Sequence, residues 1–139
     1  MNNDREIIIG VDVDSTIFFG GSYPDLGEPI PGAIEGLKYL QEKGCKIILH
    51  TMRCDGSLVK GKRKDTITPV IEYLKNEGIE VWSVNVHPEQ HEWTGSRKTY
   101  LNLSIDDINC GCPLIYQENK APYVDWSDVM KIIKKRFNI

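Results

Sequence analysis

Ile7-Ile8-Ile9-Gly10-Val11 is an unbroken apolar run, rich in β-branched residues, and reads as a fully buried strand. Lys46-Ile47-Ile48-Leu49-His50-Thr51, Ile79 to Val84 and Tyr100 to Ile105 read as further strands, with Leu114-Ile115-Tyr116 a short fifth. Between them the apolar period lengthens to that of a helix. Ile34, Leu37, Tyr39 and Leu40 share one helical face, opened by Pro31 and ended at Gly44. Val70, Ile71 and Leu74 mark a second helix that Asp65 or Thr66 can cap, with Pro69 in its first turn and an end near Gly78. Asp125-Trp126 leads into a third, carrying Val129, Ile132, Ile133 and Phe137. The Gly and Pro density over 18–32 predicts a hairpin-like excursion or loop. Strand and helix alternate, which argues an α/β fold with a mainly parallel sheet, its right-handed crossovers covering both faces.

At 139 residues the chain has the length of one domain, 1–139, and shows no internal repeat. Apolar residues at 40% and charged residues at 27% are ordinary for a globular protein. A net charge of −3 and a pI near 5.6 give no global pull toward nucleic acid. The polar start, Met1 to Glu6, and the interruption of the first apolar run by Asp12 leave neither a signal peptide nor a membrane span, so a cytoplasmic location is expected. With no export signal, the four cysteines are expected as reduced thiols, and Cys110-Gly111-Cys112 as turn residues rather than metal ligands.

Charge changes the picture at the strand ends. A buried strand has no structural use for carboxylates, yet the first ends in Asp12 and Asp14 and the fourth in Asp106-Asp107. The second ends in Thr51, and Lys98 stands just before the fourth. Parallel strands gather all of these at one edge of the sheet, where open α/β sheets bind ligands. Crowded carboxylates repel one another unless a cation shares them, and Mg²⁺ suits a few carboxylates plus a substrate phosphate. Lys98 and the Thr51 hydroxyl then offset phosphoryl charge. The set fits phosphoryl transfer, with aspartate as nucleophile.

These residues resemble the motifs of the haloacid dehalogenase (HAD) superfamily, mostly Mg²⁺-dependent phosphatases. Asp12-Val13-Asp14-Ser15-Thr16 matches its Asp-x-Asp-x-Thr, Ile47 to Thr51 its second strand motif, and Lys98 with Ile105-Asp106-Asp107 its last two. The stretch Arg97-Lys98 to Asp106-Asp107 is similar to a subgroup of small members, from which Leu101-Asn102 departs where Ala-Asp is usual. The resemblance covers nearly the whole chain. It implies a Rossmann-like three-layer α/β/α sandwich and a phosphomonoester hydrolase working through an aspartyl-phosphate on Asp12. Asp14 would be general acid and base, and its main-chain carbonyl a metal ligand. Thr51 and Lys98 would hold the phosphoryl group, and Asp12, Asp14, Asp106 and Asp107 are the metal candidates. The gaps between motifs are too short for a specificity domain, so a capless enzyme is implied.

Other residues carry weaker signals. Arg53 is a candidate contact for a substrate anion, with a surface salt bridge as its alternative. His50 is expected on the face of its strand away from Thr51. His87 and His91 are expected as loop residues near the site mouth, Trp82 and Trp93 as packing residues, and Trp126 as the anchor of the last helix. The basic run Val59 to Lys64 reads first as a solvated loop. Two other functions stand beside the phosphatase: a phosphate-binding or regulatory module without turnover, and a nucleic-acid end-processing phosphatase guided by loop 59–64. The partner is a phosphorylated substrate of open identity; nucleic acid is the less favoured one, and a second copy of the chain is able to cover a capless site.

Overall fold

Strand β1 (Ile8–Val11) is buried along its whole length and lies inside a four-stranded parallel sheet. The computed structural model describes residues 6–139; residues 1–5, most of the polar start discussed above, lie outside them. β1 pairs with β2 (Lys46–Leu49) on one side and β6 (Leu103–Ile105) on the other, and β5 (Ser83–Val84) adds to β2. All three pairings are parallel, in the spatial order β5-β2-β1-β6. The chain is a Rossmann-like α/β fold, and the carboxyl ends of β1, β2 and β6 lie side by side, with Val11 opposite both Leu49 and Ile105.

Helix α1 (Ala33–Glu42) follows β1, α2 (Thr68–Asn76) follows β2, and α3 (Trp126–Phe137) closes the chain. Their buried residues, Leu37 and Leu40, Val70 and Leu74, Trp126 and Ile133, join one apolar cluster with Ile9, Val11, Ile47 and Leu49. Side chains alternate along a strand, so this cluster is one face of the sheet. The steps β1 to β2 to β5 run in the same direction, and right-handed crossovers in one direction put their helices on the same side. The return from β5 to β6 carries only a short 3-10 turn (Gln90–Glu92). The expected cover of both faces is therefore made by helices on one side and a connector on the other. Gly10 shows how close that connector comes: a Cβ there would lie 2.5 Å from the Leu101 side chain. Leu101-Asn102 thus earns its place by packing, since Asn102 Oδ1 also accepts the Ile8 N–H at 2.7 Å.

Several expected elements change form. The basic loop is a β-hairpin, β3 (Ser57–Val59) paired antiparallel with β4 (Lys62–Lys64). Lys60 at φ 48° and Gly61 at φ 78° make its two-residue turn, the left-handed geometry that matches strand twist. Helix α2 is capped neither by Asp65 nor by Thr66. Asp55, held near it by that hairpin, accepts the N–H groups of Ile67 and Thr68 and the Thr68 hydroxyl. Asp65 instead takes the Gly56 N–H, and Thr66 is buried with its hydroxyl on Cys54 O. Pro31 precedes α1 by two residues, with Gly32 as its N-cap. β7 (Leu114–Ile115) pairs with β8 (Tyr123–Val124) in a separate two-stranded sheet and does not extend the main one. Trp126 is the expected anchor: 1% exposed, its indole N–H donates to Thr16 O at 2.6 Å. Among the described residues no helix is long and apolar enough to cross a membrane.

Candidate active site

The turn that follows β1 is tight because Val13, Ile17 and Phe18 fold under it into the core, each fully buried. Ile17 and Phe18 both donate to Val13 O, and Ser15 takes a left-handed φ of 60°. Folding these side chains inward lifts Asp12 and Asp14 to the open edge. Asp12 stays tied to the neighbouring strand through its N–H, which donates to Ile105 O at 2.9 Å.

Asp12, Asp106 and Asp107 converge so that one carboxylate oxygen from each lies within 4.8 Å of the others. Thr16, fully buried beneath them, organises the group. Its hydroxyl lies 3.3 Å from Asp12 Oδ2 and 3.3 Å from Asp107 Oδ1, and it accepts the Asp107 N–H at 3.2 Å. Asp106 Oδ1 accepts the Ile108 N–H. Burial, then repulsion from Asp106 and Asp107, pushes the Asp12 carboxyl up to about 7, and burial with Asp107 nearby raises Asp106 as well. Three partly buried carboxylates gathered this closely could hold a hard divalent cation such as Mg²⁺. Among the described residues this is the one such group; Cys110 and Cys112 do not join it, and all four thiols are free.

The triad opens into a cleft of about 730 Å³ lined also by Asp14, Thr51, Arg53 and Asn85. Thr51 is clamped from behind: Asn85 Oδ1 accepts its N–H at 2.8 Å and Asn85 Nδ2 donates to its carbonyl at 2.7 Å. Asn85 does this at φ 60°, a conformation that asparagine tolerates better than most residues. The Thr51 hydroxyl accepts the Arg53 N–H at 3.0 Å and keeps its own hydrogen for a ligand.

Arg53 lines the cleft, but its guanidinium is committed within the chain and is not a surface ion pair. It is 2% exposed and all five of its N–H groups have partners. Nε and Nη2 grip both oxygens of Asp14 at 2.8 Å, and the rest reach Pro24 O, Asp25 O and Thr66 O. It fixes Asp14 and ties the excursion after β1 to the hairpin. Lys98 also departs from expectation. It is absent from the cleft lining and sits exposed in a neighbouring cavity with Gln90 and Trp93. The cause is buried Gln90, whose amide holds Ser96 O and Lys98 O while its carbonyl takes the Tyr100 N–H.

His50, expected on the far face, lines the cleft, because β2 ends at Leu49 and its alternation ends with it. His87, expected near the mouth, is 4% exposed and packs edge-on against Trp82 and Trp93. The basic hairpin lies outside the cleft lining, with Lys64 paired to Asp25 at 3.6 Å. Sequence reasoning passed over Asn85 and Gln90, whose weight comes from tertiary bonds, and gave Thr16 no role of its own. An asparagine just past a strand, suited to a left-handed turn, was the signal available for the first.

No protein-family model matches the chain, and no curated protein matches it. A solved D,D-heptose 1,7-bisphosphate phosphatase from B. bronchiseptica, complexed with magnesium and phosphate, aligns at 15% identity over 96% of this chain and 64% of its own, with a TM-score of 0.45. A conserved protein coded by a locus of Bacteroides thetaiotaomicron aligns over 95% of this chain and 93% of its own, at 32% identity and a TM-score of 0.70. With that identity over nearly the full length of both, the chain belongs to the same family as this conserved Bacteroides protein.

Proposed function

We propose that the chain is a capless phosphatase of the HAD type, hydrolysing phosphomonoesters with Mg²⁺ through an aspartyl-phosphate. The observation that carries the reading is the convergence of Asp12, Asp106 and Asp107 within 4.8 Å beside a cleft that also holds Asp14 and Thr51. Asp12 is the nucleophile. One of its oxygens bonds to phosphorus as the bond to the leaving oxygen breaks, and Asp14 supplies the proton which that oxygen takes. Asp14 then receives a proton from the water that attacks the acyl phosphate, releasing inorganic phosphate and restoring Asp12. Each Asp14 oxygen accepts one N–H from Arg53 and keeps a second lone pair for that proton.

Mg²⁺ held by these carboxylates would supply charge neutralisation, favouring the anionic form of Asp12 and offsetting the phosphoryl oxygens. Of the pair 106–107, Asp106, which lines the cleft, would be the favoured ligand, while Asp107 is also bonded to Thr16. The Thr51 hydroxyl donates to the phosphoryl group. Lys98 makes the second contact; its neighbour Thr99 donates its hydroxyl to the carbonyl of Asn85, which lines the cleft.

The test is phosphate release from a generic aryl phosphate with and without Mg²⁺. Wild type turns over only with the metal, Asp12→Asn folds but does not turn over, and Lys98→Ala raises KM. Turnover retained in Asp12→Asn removes the nucleophile; no turnover in wild type turns the assignment to a phosphate-binding module.

A further inference from the structure

Beside its polar groups the cleft is lined by apolar side chains that stand well out into solvent. Tyr23 is 52% exposed, Met52 99% and Ile108 82%, and all three line the cleft. They come from three separate segments, and two stand beside the chemistry: Met52 follows Thr51, and Ile108 follows Asp106-Asp107. Single exposed apolar side chains are ordinary on a protein surface, whereas three gathered around one opening form a surface that a ligand gains by covering.

The polar groups of the lining have little left to offer a ligand beyond its phosphate. Arg53 has no free donor, Asn85 is held at both ends by the Thr51 backbone, and both Asp14 oxygens face the guanidinium. Among the described residues, the His50 imidazole and the Tyr23 hydroxyl are the polar side-chain groups of the lining without such a bond. A sugar or polyol entering here leaves water and finds few partners for its several hydroxyls, and unpaired hydroxyls cost affinity. An alkyl or aryl group loses nothing of that kind. The Tyr23 ring is already fixed as a wall for it, with the Arg53 guanidinium 5.1 Å from its centroid.

We infer that the substrates are phosphomonoesters of hydrophobic alcohols or phenols, whose apolar leaving group lies against Tyr23, Met52 and Ile108. This rests on the phosphatase reading above. The experiment compares n-hexyl phosphate with glycerol 3-phosphate, two alkyl esters of similar intrinsic reactivity, in wild type and in Met52→Ser/Ile108→Ser. Both substituted residues are exposed and outside the catalytic set. Wild type favours hexyl phosphate by tenfold or more in kcat/KM, and the double variant brings the ratio close to one by raising KM for hexyl phosphate alone. A wild-type ratio near one or below, or a ratio that the variant leaves unchanged, overturns the substrate class while leaving the reaction standing. Absence of Asp12-dependent release from either ester overturns both.

Discussion

Replacing Arg53 with alanine removes five hydrogen bonds from one buried point that joins three segments of chain. Two go to Asp14 at 2.8 Å, and the others to Pro24 O at 2.9 Å, Asp25 O at 2.9 Å and Thr66 O at 3.2 Å. The losses are unequal. Asp25 is exposed and Pro24 half-buried, so water can replace the guanidinium at those carbonyls, whereas Thr66 is fully buried and its carbonyl is left without a partner. An orphaned buried carbonyl costs roughly 1–3 kcal/mol. Breaking a fully buried ion pair costs about 3–5 kcal/mol, and the Asp14 side chain, 35% exposed, places this one at or below the lower end. Together these put Arg53→Ala at about 3 kcal/mol, with Arg53→Lys intermediate because an ammonium cannot grip both oxygens of Asp14 in a fork. Urea denaturation at pH 7.5 measures it, and a double-mutant cycle with Asp14→Ala isolates the pair at about 1–2 kcal/mol of coupling. Turnover should collapse in Arg53→Ala while inhibition by inorganic phosphate stays within a few-fold of wild type. A stability loss under about 0.5 kcal/mol, or coupling near zero, refutes the pair as a structural tie. A large loss of phosphate affinity restores Arg53 as an anion contact.

Two further outcomes follow from the same geometry. Asp12, at about 7 in the folded chain against 3.8 when unperturbed, binds more protons folded than unfolded, so stability of the metal-free protein falls as pH rises from about 4 to 7. Solvent screening at this half-buried group limits the effect to about 1–2 kcal/mol. Denaturation at pH 5 and 7.5 should show the fall, and Mg²⁺ should remove it; a metal-free protein equally stable at both would count against the crowding of the triad. Asn85→Ala loses both bonds to the Thr51 backbone and strains a left-handed φ of 60°, for about 1–2 kcal/mol and weaker inhibition by phosphate. Asn85→Gly removes the strain but not the lost clamp, so if it inhibits as wild type does, Asn85 does not position Thr51.

What the sequence disclosed of this site, and what it hid, divide along the reach of the interactions. Asp12, Asp14, Thr51 and the acids at 106–107 were legible because each follows an apolar run, and parallel pairing alone brings strand ends together. Arg53, Thr16 and Asn85 were not, because their roles rest on bonds between residues 34 to 91 positions apart, which no local pattern encodes. The same division explains the hairpin and the helix cap. Lys60-Gly61 was a local turn signal hidden inside a charge run, and once that turn closes, Asp55 arrives at the start of α2 ahead of the nearer Asp65 and Thr66. The hairpin, the cap and the Arg53 tie all meet at Thr66, whose carbonyl takes Arg53 Nη1 and whose hydroxyl takes the Cys54 N–H. The segment from 53 to 68 therefore acts as a brace that holds Asp14 in the cleft, and loosening it at Thr66 reaches the proposed proton donor without touching it.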